Sequence, residues 1–216
     1  MSRRRAVTRD LLFAWAGGRS RSRGLPPPVI DGDAVRVDTG LPGEDRRFIF
    51  AAVRPAITAV AARIDRPGIL IKLCAPLPEL LALLPAGWRG HPQAFLMALD
   101  GAMHPGARSL PATYSLSIGG DGPVHVVHVI ASDGSLAARG RAVGNAGVFV
   151  FDQIVTEPAH RRRGLGGHVM RSLAACNTAG DRPVLTATAA GHALYTALGW
   201  QTLCFYSTAE REPAAR

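Results

Sequence analysis

The stretch from Val148 to Asn177 constrains this chain more than any other. Val148 to Val155 reads as a strand, His160 to Gly167 is the turn His-Arg-Arg-Arg-Gly-Leu-Gly-Gly, and Gly164 to about Asn177 reads as a helix. Leu165, Val169, Leu173 and Cys176 recur at helical spacing and can face a sheet, while His168, Arg171 and Ser172 fall on other faces. The first amides of a helix lack intrahelical partners and carry the positive end of its dipole, so they bind phosphate oxygens directly. Glycine lets the backbone approach closely, and arginines add charge-assisted donors. A strand, such a turn and a helix in that order form a cradle for a pyrophosphate.

The sequence downstream narrows the reading. Pro183 to Thr188 reads as a short buried strand. Ala189 to Leu198 reads as a helix ended by Gly199 and Trp200, with a last strand from Thr202 to Ser207. Arg161-x-x-Gly164-x-Gly166 resembles the acyl-CoA pyrophosphate loop of the GNAT N-acetyltransferases. Leu194-Tyr195-x-x-Leu198-Gly199-Trp200 resembles that family's closing signature, and the two occur in the family's order and separation. The resemblance covers about Tyr114 to Ser207.

It implies an α/β (α+β) fold with a mixed, mostly antiparallel sheet flanked by helices, and direct transfer of an acetyl group from acetyl-CoA, as co-substrate, to a primary amine. Arg161, Arg162, Arg163, Gly164, Leu165, Gly166 and Gly167 would hold the pyrophosphate. Ile154, Val155 and Thr156 lie where the family's fourth strand splays from its fifth and frees backbone groups for the pantetheine and the thioester oxygen. Tyr195 matches the tyrosine that reaches the sulfur; a phenol with a reference pKa of about 10 has a proton to give at neutral pH. Thr188 stands where many relatives carry an asparagine that contacts CoA. Asp152, three residues before Val155, is the candidate general base, acting directly or through water, unless it simply holds the ammonium. Glu157 is closer to the loop but, beside Pro158, reads as a solvated strand end. His125 and His128, at i and i+3 on one strand, point to opposite faces. No histidine, cysteine and carboxylate cluster suggests a metal site.

The remainder divides into residues 1–32, a basic helix (about Thr8 to Ala16) with a proline-rich linker; 33–110, a smaller half; and 111–216, the acetyl-CoA-binding part. In 33–110 the order of strand, helix, Gly87-Trp88 and strand echoes Pro183 to Ser207. This half reads as a degenerate GNAT-like unit, and without Arg-x-x-Gly-x-Gly it should not bind CoA. In the part that resembles the family, only a turn separates the strand ending at Ile118 from the one starting at Val124. The family places two helices there to wall the acceptor site. The wall must come from the N-terminal half, from a partner subunit in a homodimer, or be missing. Three functions stay open: acetylation of a small or amino-acid-like amine, acetylation of a protein or peptide, and non-catalytic acyl-CoA sensing.

The net charge of +9 is almost wholly arginine, since Lys72 is the only lysine. Arg3, Arg4, Arg5, Arg9, Arg19, Arg21 and Arg23 crowd the N-terminus against one acid, Asp10, but no aromatics interleave with them as stacking platforms, which disfavours nucleic acid. No apolar run approaches the ~20 residues that span a bilayer. Three cysteines, Cys74, Cys176 and Cys204, cannot all pair, which suits a reducing cytoplasm.

Overall fold

The computed structural model describes residues 7–105 and 109–213. Arg3, Arg4 and Arg5, and the middle of the Gly101 to Pro111 loop, lie outside the described residues. Helix α1 (Arg9–Ser22) precedes strands β1 (Val29–Asp31), β2 (Ala34–Leu41) and β3 (Glu44–Phe50). Helix α2 (Pro55–Ala61), β4 (Ile69–Leu73), α3 (Leu77–Leu81), β5 (Trp88–Gly90) and β6 (Ala94–Ala98) complete the first part. The second part runs β7 (Tyr114–Asp121), β8 (Val124–Ala131), β9 (Leu136–Asn145), β10 (Val148–Thr156), α4 (Leu165–Ala175), β11 (Arg182–Thr188), α5 (Ala189–Ala197) and β12 (Gln201–Arg211). The strands form one mixed, mostly antiparallel sheet ordered β1-β2-β3-β4-β12-β6-β11-β10-β9-β8-β7, with β5 beside β12. This is the architecture the sequence implied.

The order reads the same way from both ends toward the centre. β3 and β4 pair in parallel across the crossover helix α2, and β10 and β11 do so across α4. The last strand of each unit is exchanged. β6 lies antiparallel between β11 and β12, while β12 reaches past β6 to pair with β4. The two Gly-Trp pairs occupy equivalent turns, Gly87 at φ 83° before β5 and Gly199 at φ 93° before β12. Residues 33–110 and 111–216 therefore interlock through strands.

Alternation along β10 distributes its side chains between two layers. Phe149 and Phe151 face Leu165, Val169, Met170 and Leu173 of α4, together with Tyr195 of α5. Val148 and Val150 face the opposite side, where Leu12, Trp15 and Ala16 of α1 cover them with Val184, Leu96 and Tyr206. Helix α1 runs six residues beyond the expected end at Ala16, to Ser22. The Gly17-Gly18 pair within this extension lies close against the sheet. A Cβ on Gly18 would meet Val150 Cγ2 at 2.5 Å, and one on Gly17 would meet Asn145 Nδ2 at 2.5 Å. Asn145 Nδ2 donates to the Ala14 carbonyl at 2.8 Å and Arg141 to the Ser22 carbonyl at 2.8 Å, fixing the helix on β9.

Because β6 fills the place between β11 and β12, a fragment starting at Pro111 has an empty strand position that cuts β12 off from the rest of its sheet. We expect that fragment to lose cooperative thermal unfolding by circular dichroism, whereas the whole chain melts in one transition. A cooperative monomeric fragment would show that the interlock is dispensable.

Candidate functional site

The ladder between β10 and β11 joins Val148 to Val150 with Arg182 to Val184 and stops there. β10 stays paired with β9 as far as Thr156, and β11 with β6 as far as Thr188. The two strands are thus held from their outer edges while their facing edges part, leaving peptide groups that need partners. A groove of about 910 Å³ opens between them, with Ile154, Val155 and Thr156 on one wall and Leu185, Thr186 and Thr188 on the other. A bulge between Asp152 and Val155, with Gln153 at φ 54°, turns β10 where the parting begins. In the first half β3 and β4 remain paired from Arg46 to Phe50, so no equivalent groove forms there.

One end of the groove is the arginine–glycine turn. Gly164 caps α4 at φ 80°, a left-handed conformation that costs other residues strain. The first backbone bond into the helix runs from Gly167 N–H to the Gly164 carbonyl at 3.0 Å, so the amides of Leu165 and Gly166 precede the helical ladder. Arg161, Arg162, Gly164, Leu165, Gly166 and Gly167 line this end. Arg161 Nε also donates to the Thr156 carbonyl at 3.2 Å. Arg163 departs from the expectation. It is not part of the groove wall, and its guanidinium donates to the Tyr114 hydroxyl at 2.7 Å. That hydroxyl also lies 3.1 Å from His160 Nδ1, so Arg163 and His160 brace the turn from behind.

Tyr195 reaches the middle of the groove from α5, packed against Trp200 with ring centroids 6.2 Å apart. Burial, with a contribution from the negative charge of Asp152, pushes its phenol up to about 12. The Thr188 hydroxyl lines the groove and accepts from the Gly191 amide at 3.2 Å as the cap of α5. Its own proton is left to donate.

Asp152 lies at the opposite end from the turn, and its surroundings differ from those of a base. Arg23 grips its two oxygens at 2.5 and 2.7 Å, Ser22 Oγ donates to it at 2.9 Å, and Arg19 Nε lies 3.6 Å away. Burial alone would raise this carboxyl, but the Arg23 hydrogen bonds and the charges of Arg19 and Arg23 outweigh it and hold it below the ordinary range. A carboxylate so engaged is a poor proton acceptor, and the base role assigned from sequence is corrected on that ground. Its structural role is to anchor the C-terminus of α1 to β10. Arg19, Ser22 and Arg23 were missed because the three prolines after Leu25 made this segment look like a linker. The helix stands on the sheet face opposite α4, and its Arg19 and the following Arg23 line the groove.

No protein-family model matches the sequence, and no curated protein matches it. Solved structures do. A GCN5-related N-acetyltransferase from Kribbella flavida is 17% identical, with a TM-score of 0.63 over 91% of this chain and 93% of that one. A GNAT-family protein from Novosphingobium aromaticivorans is also 17% identical, with a TM-score of 0.62 over 98% of this chain and 100% of that one. A tandem GNAT protein from the clavulanic acid biosynthesis pathway is 14% identical, with a TM-score of 0.53 over 86% of this chain and 82% of that one. The chain has the GNAT fold. Among the described residues no helix is long and apolar enough to cross a membrane, and no three His, Cys, Asp or Glu side chains gather as a metal site would require.

Behind Arg19 sits Lys72, 8% exposed, donating to Thr208 Oγ1 at 3.0 Å and lying 5.8 Å from the Tyr206 ring centroid. Burial, then the charge of Arg19, lowers its pKa to about 7, despite an opposing pull from Glu44. Between that value and the ordinary 10.5 the unfolded chain holds a proton that the folded chain lacks, so this group makes stability rise with pH across the window. Replacement Lys72→Met should therefore stabilise the protein at pH 6 by on the order of 3 kcal/mol. The gain should shrink as the pH climbs past 7 toward 10.5, read from urea midpoints. A gain independent of pH would mean that Lys72 is not desolvated.

Proposed function

We propose that this chain is an N-acetyltransferase that carries the acetyl group of acetyl-CoA directly to a primary amine of a small molecule. The observation that carries this reading is the parting of β10 from β11 between the Arg161 to Gly167 turn and Tyr195. The residues present fit the co-substrate. The turn offers amides and guanidinium groups to a pyrophosphate, and the bared strand edges offer peptide groups to the amides of a pantetheine arm. The co-substrate supplies an activated thioester. Tyr195, with its proton retained to about pH 12, is the group that protonates the departing sulfur as the new C–N bond forms.

Among the described residues Asp152 is the only carboxylate lining the groove, and it is occupied. No carboxylate of the groove among these residues is free to take the amine's proton, so the amine sheds it to solvent before attack. Closure of this end by α1 favours a small acceptor over an extended peptide.

Two variants test the reading. In Gly164→Glu a carboxylate enters the phosphate end, so acetyl-CoA affinity by calorimetry should fall at least tenfold while the fold is kept; unchanged affinity would remove the turn from the site. Tyr195→Phe keeps the ring and its packing with Trp200, so turnover should fall about a hundredfold without loss of thermal stability. Turnover at the parental rate would leave Tyr195 a packing residue.

A further inference from the structure

The acceptor end of the groove carries unbalanced positive charge. Arg19, Arg23 and Asp152 line it, two guanidinium groups against one carboxylate, a surplus of one charge. Arg23 spends its fork on Asp152 at 2.5 and 2.7 Å. Arg19 Nε stands 3.6 Å from Asp152 Oδ1, an ion pair without a hydrogen bond. Its side chain is 18% exposed, its guanidinium lies 5.4 Å from the Trp15 ring centroid, and its buried Nε has no hydrogen-bond acceptor among the described residues. Burial, then the charge of Arg23, lowers the Arg19 pKa, and the carboxylate of Asp152 offsets them only in part.

This surplus is separate from the one at the pyrophosphate end. Arg161 and Arg162 belong to the turn before α4, on one face of the sheet, whereas Arg19 and Arg23 come from α1 on the other. From Asp152 to Thr156, β10 alone covers roughly 12 Å before the turn begins. Phosphates held on the Arg161 to Gly167 turn therefore cannot also neutralise Arg19.

We infer that the acceptor is a primary amine carrying its own carboxylate, an amino acid in the free state, and that Arg19 is the residue that reads this carboxylate. The inference rests on the acetyltransferase reading and names its substrate class. A carboxylate matches a guanidinium fork that is planar and always charged. Its arrival removes the charge surplus, and it sets the neighbouring amine toward the bulge of β10, where the parted strands give access to the other face. A simple amine would add a further cation to a site already in excess. A peptide would bring its amine without an adjacent carboxylate.

The test uses matched acceptors: free L-amino acids, their carboxamides and the corresponding decarboxylated amines, with thiol release from acetyl-CoA as the readout. The parent protein should favour at least one free amino acid over its carboxamide and its amine by tenfold or more in kcat/KM, mainly through KM. Arg19→Gln should lose most of this preference, about thirtyfold in KM for the amino acid, with the carboxamide little changed. Arg19→Lys keeps the charge and should keep part of the preference, which separates carboxylate reading from packing against Trp15. Equal or better turnover of the carboxamide or the amine, or a preference that survives Arg19→Gln, overturns the inference. If acetyl-CoA binds but no acceptor is turned over, the acetyltransferase reading fails on its own terms. Calorimetry of the same compounds with the CoA-bound protein then decides the inference. Binding of the free amino acid alone, lost in Arg19→Gln, supports it, and no discrimination among the three refutes it.

Discussion

A sheet stays closed because each strand satisfies its neighbour's peptide groups, and here that rule is broken at one place. β10 and β11 share a ladder only as far as Val150 and Val184, then diverge, each still held on its outer side, β10 with one bulge. Facing rows of peptide groups without partners are costly inside a protein. They are tolerable where a polar chain of matching length can occupy the gap. The groove, its lining and the approach from two faces all follow from this interrupted ladder.

The interruption is stable because the strands on either side are pinned by elements from elsewhere in the sequence. β6 holds β11 from the far side, and β12 holds β6 while reaching across to β4. Exchange of end strands turns two similar units into one sheet, and each unit depends on the other for its last strand. In the first unit the corresponding strands do not part. β3 and β4 close along Arg46 to Phe50, and Lys72 and Arg47 lie buried in the layer beneath α1.

Helix α1 completes the site electrostatically as well as sterically. Its glycine pair allows the backbone to lie against Val150 and Asn145, and this close docking brings Ser22 and Arg23 onto Asp152. A carboxylate that looked in isolation like a proton acceptor becomes an anchor for cations. That inversion is physical. A charge in a poorly solvated place is defined by its neighbours, and these neighbours come from about 130 residues away.

By itself the sequence determined what is local. Helical spacing in Leu165, Val169 and Leu173 fixed the face of α4 that packs on the sheet, and Arg161, Gly164 and Gly166 marked the turn that caps it. The closing run from Leu194 to Trp200 located α5 and its tyrosine. These were legible because turn chemistry, capping and periodicity act over a few residues. Tertiary structure alone decided the partners: that Arg163 braces the turn through Tyr114 instead of lining the groove, that Gly17 and Gly18 are contact points of α1 with Asn145 and Val150, and that β6 and β12 trade places. Each depends on a surface that two distant segments create together. Neither segment carries a trace of it, because close packing and charge compensation belong to the pair.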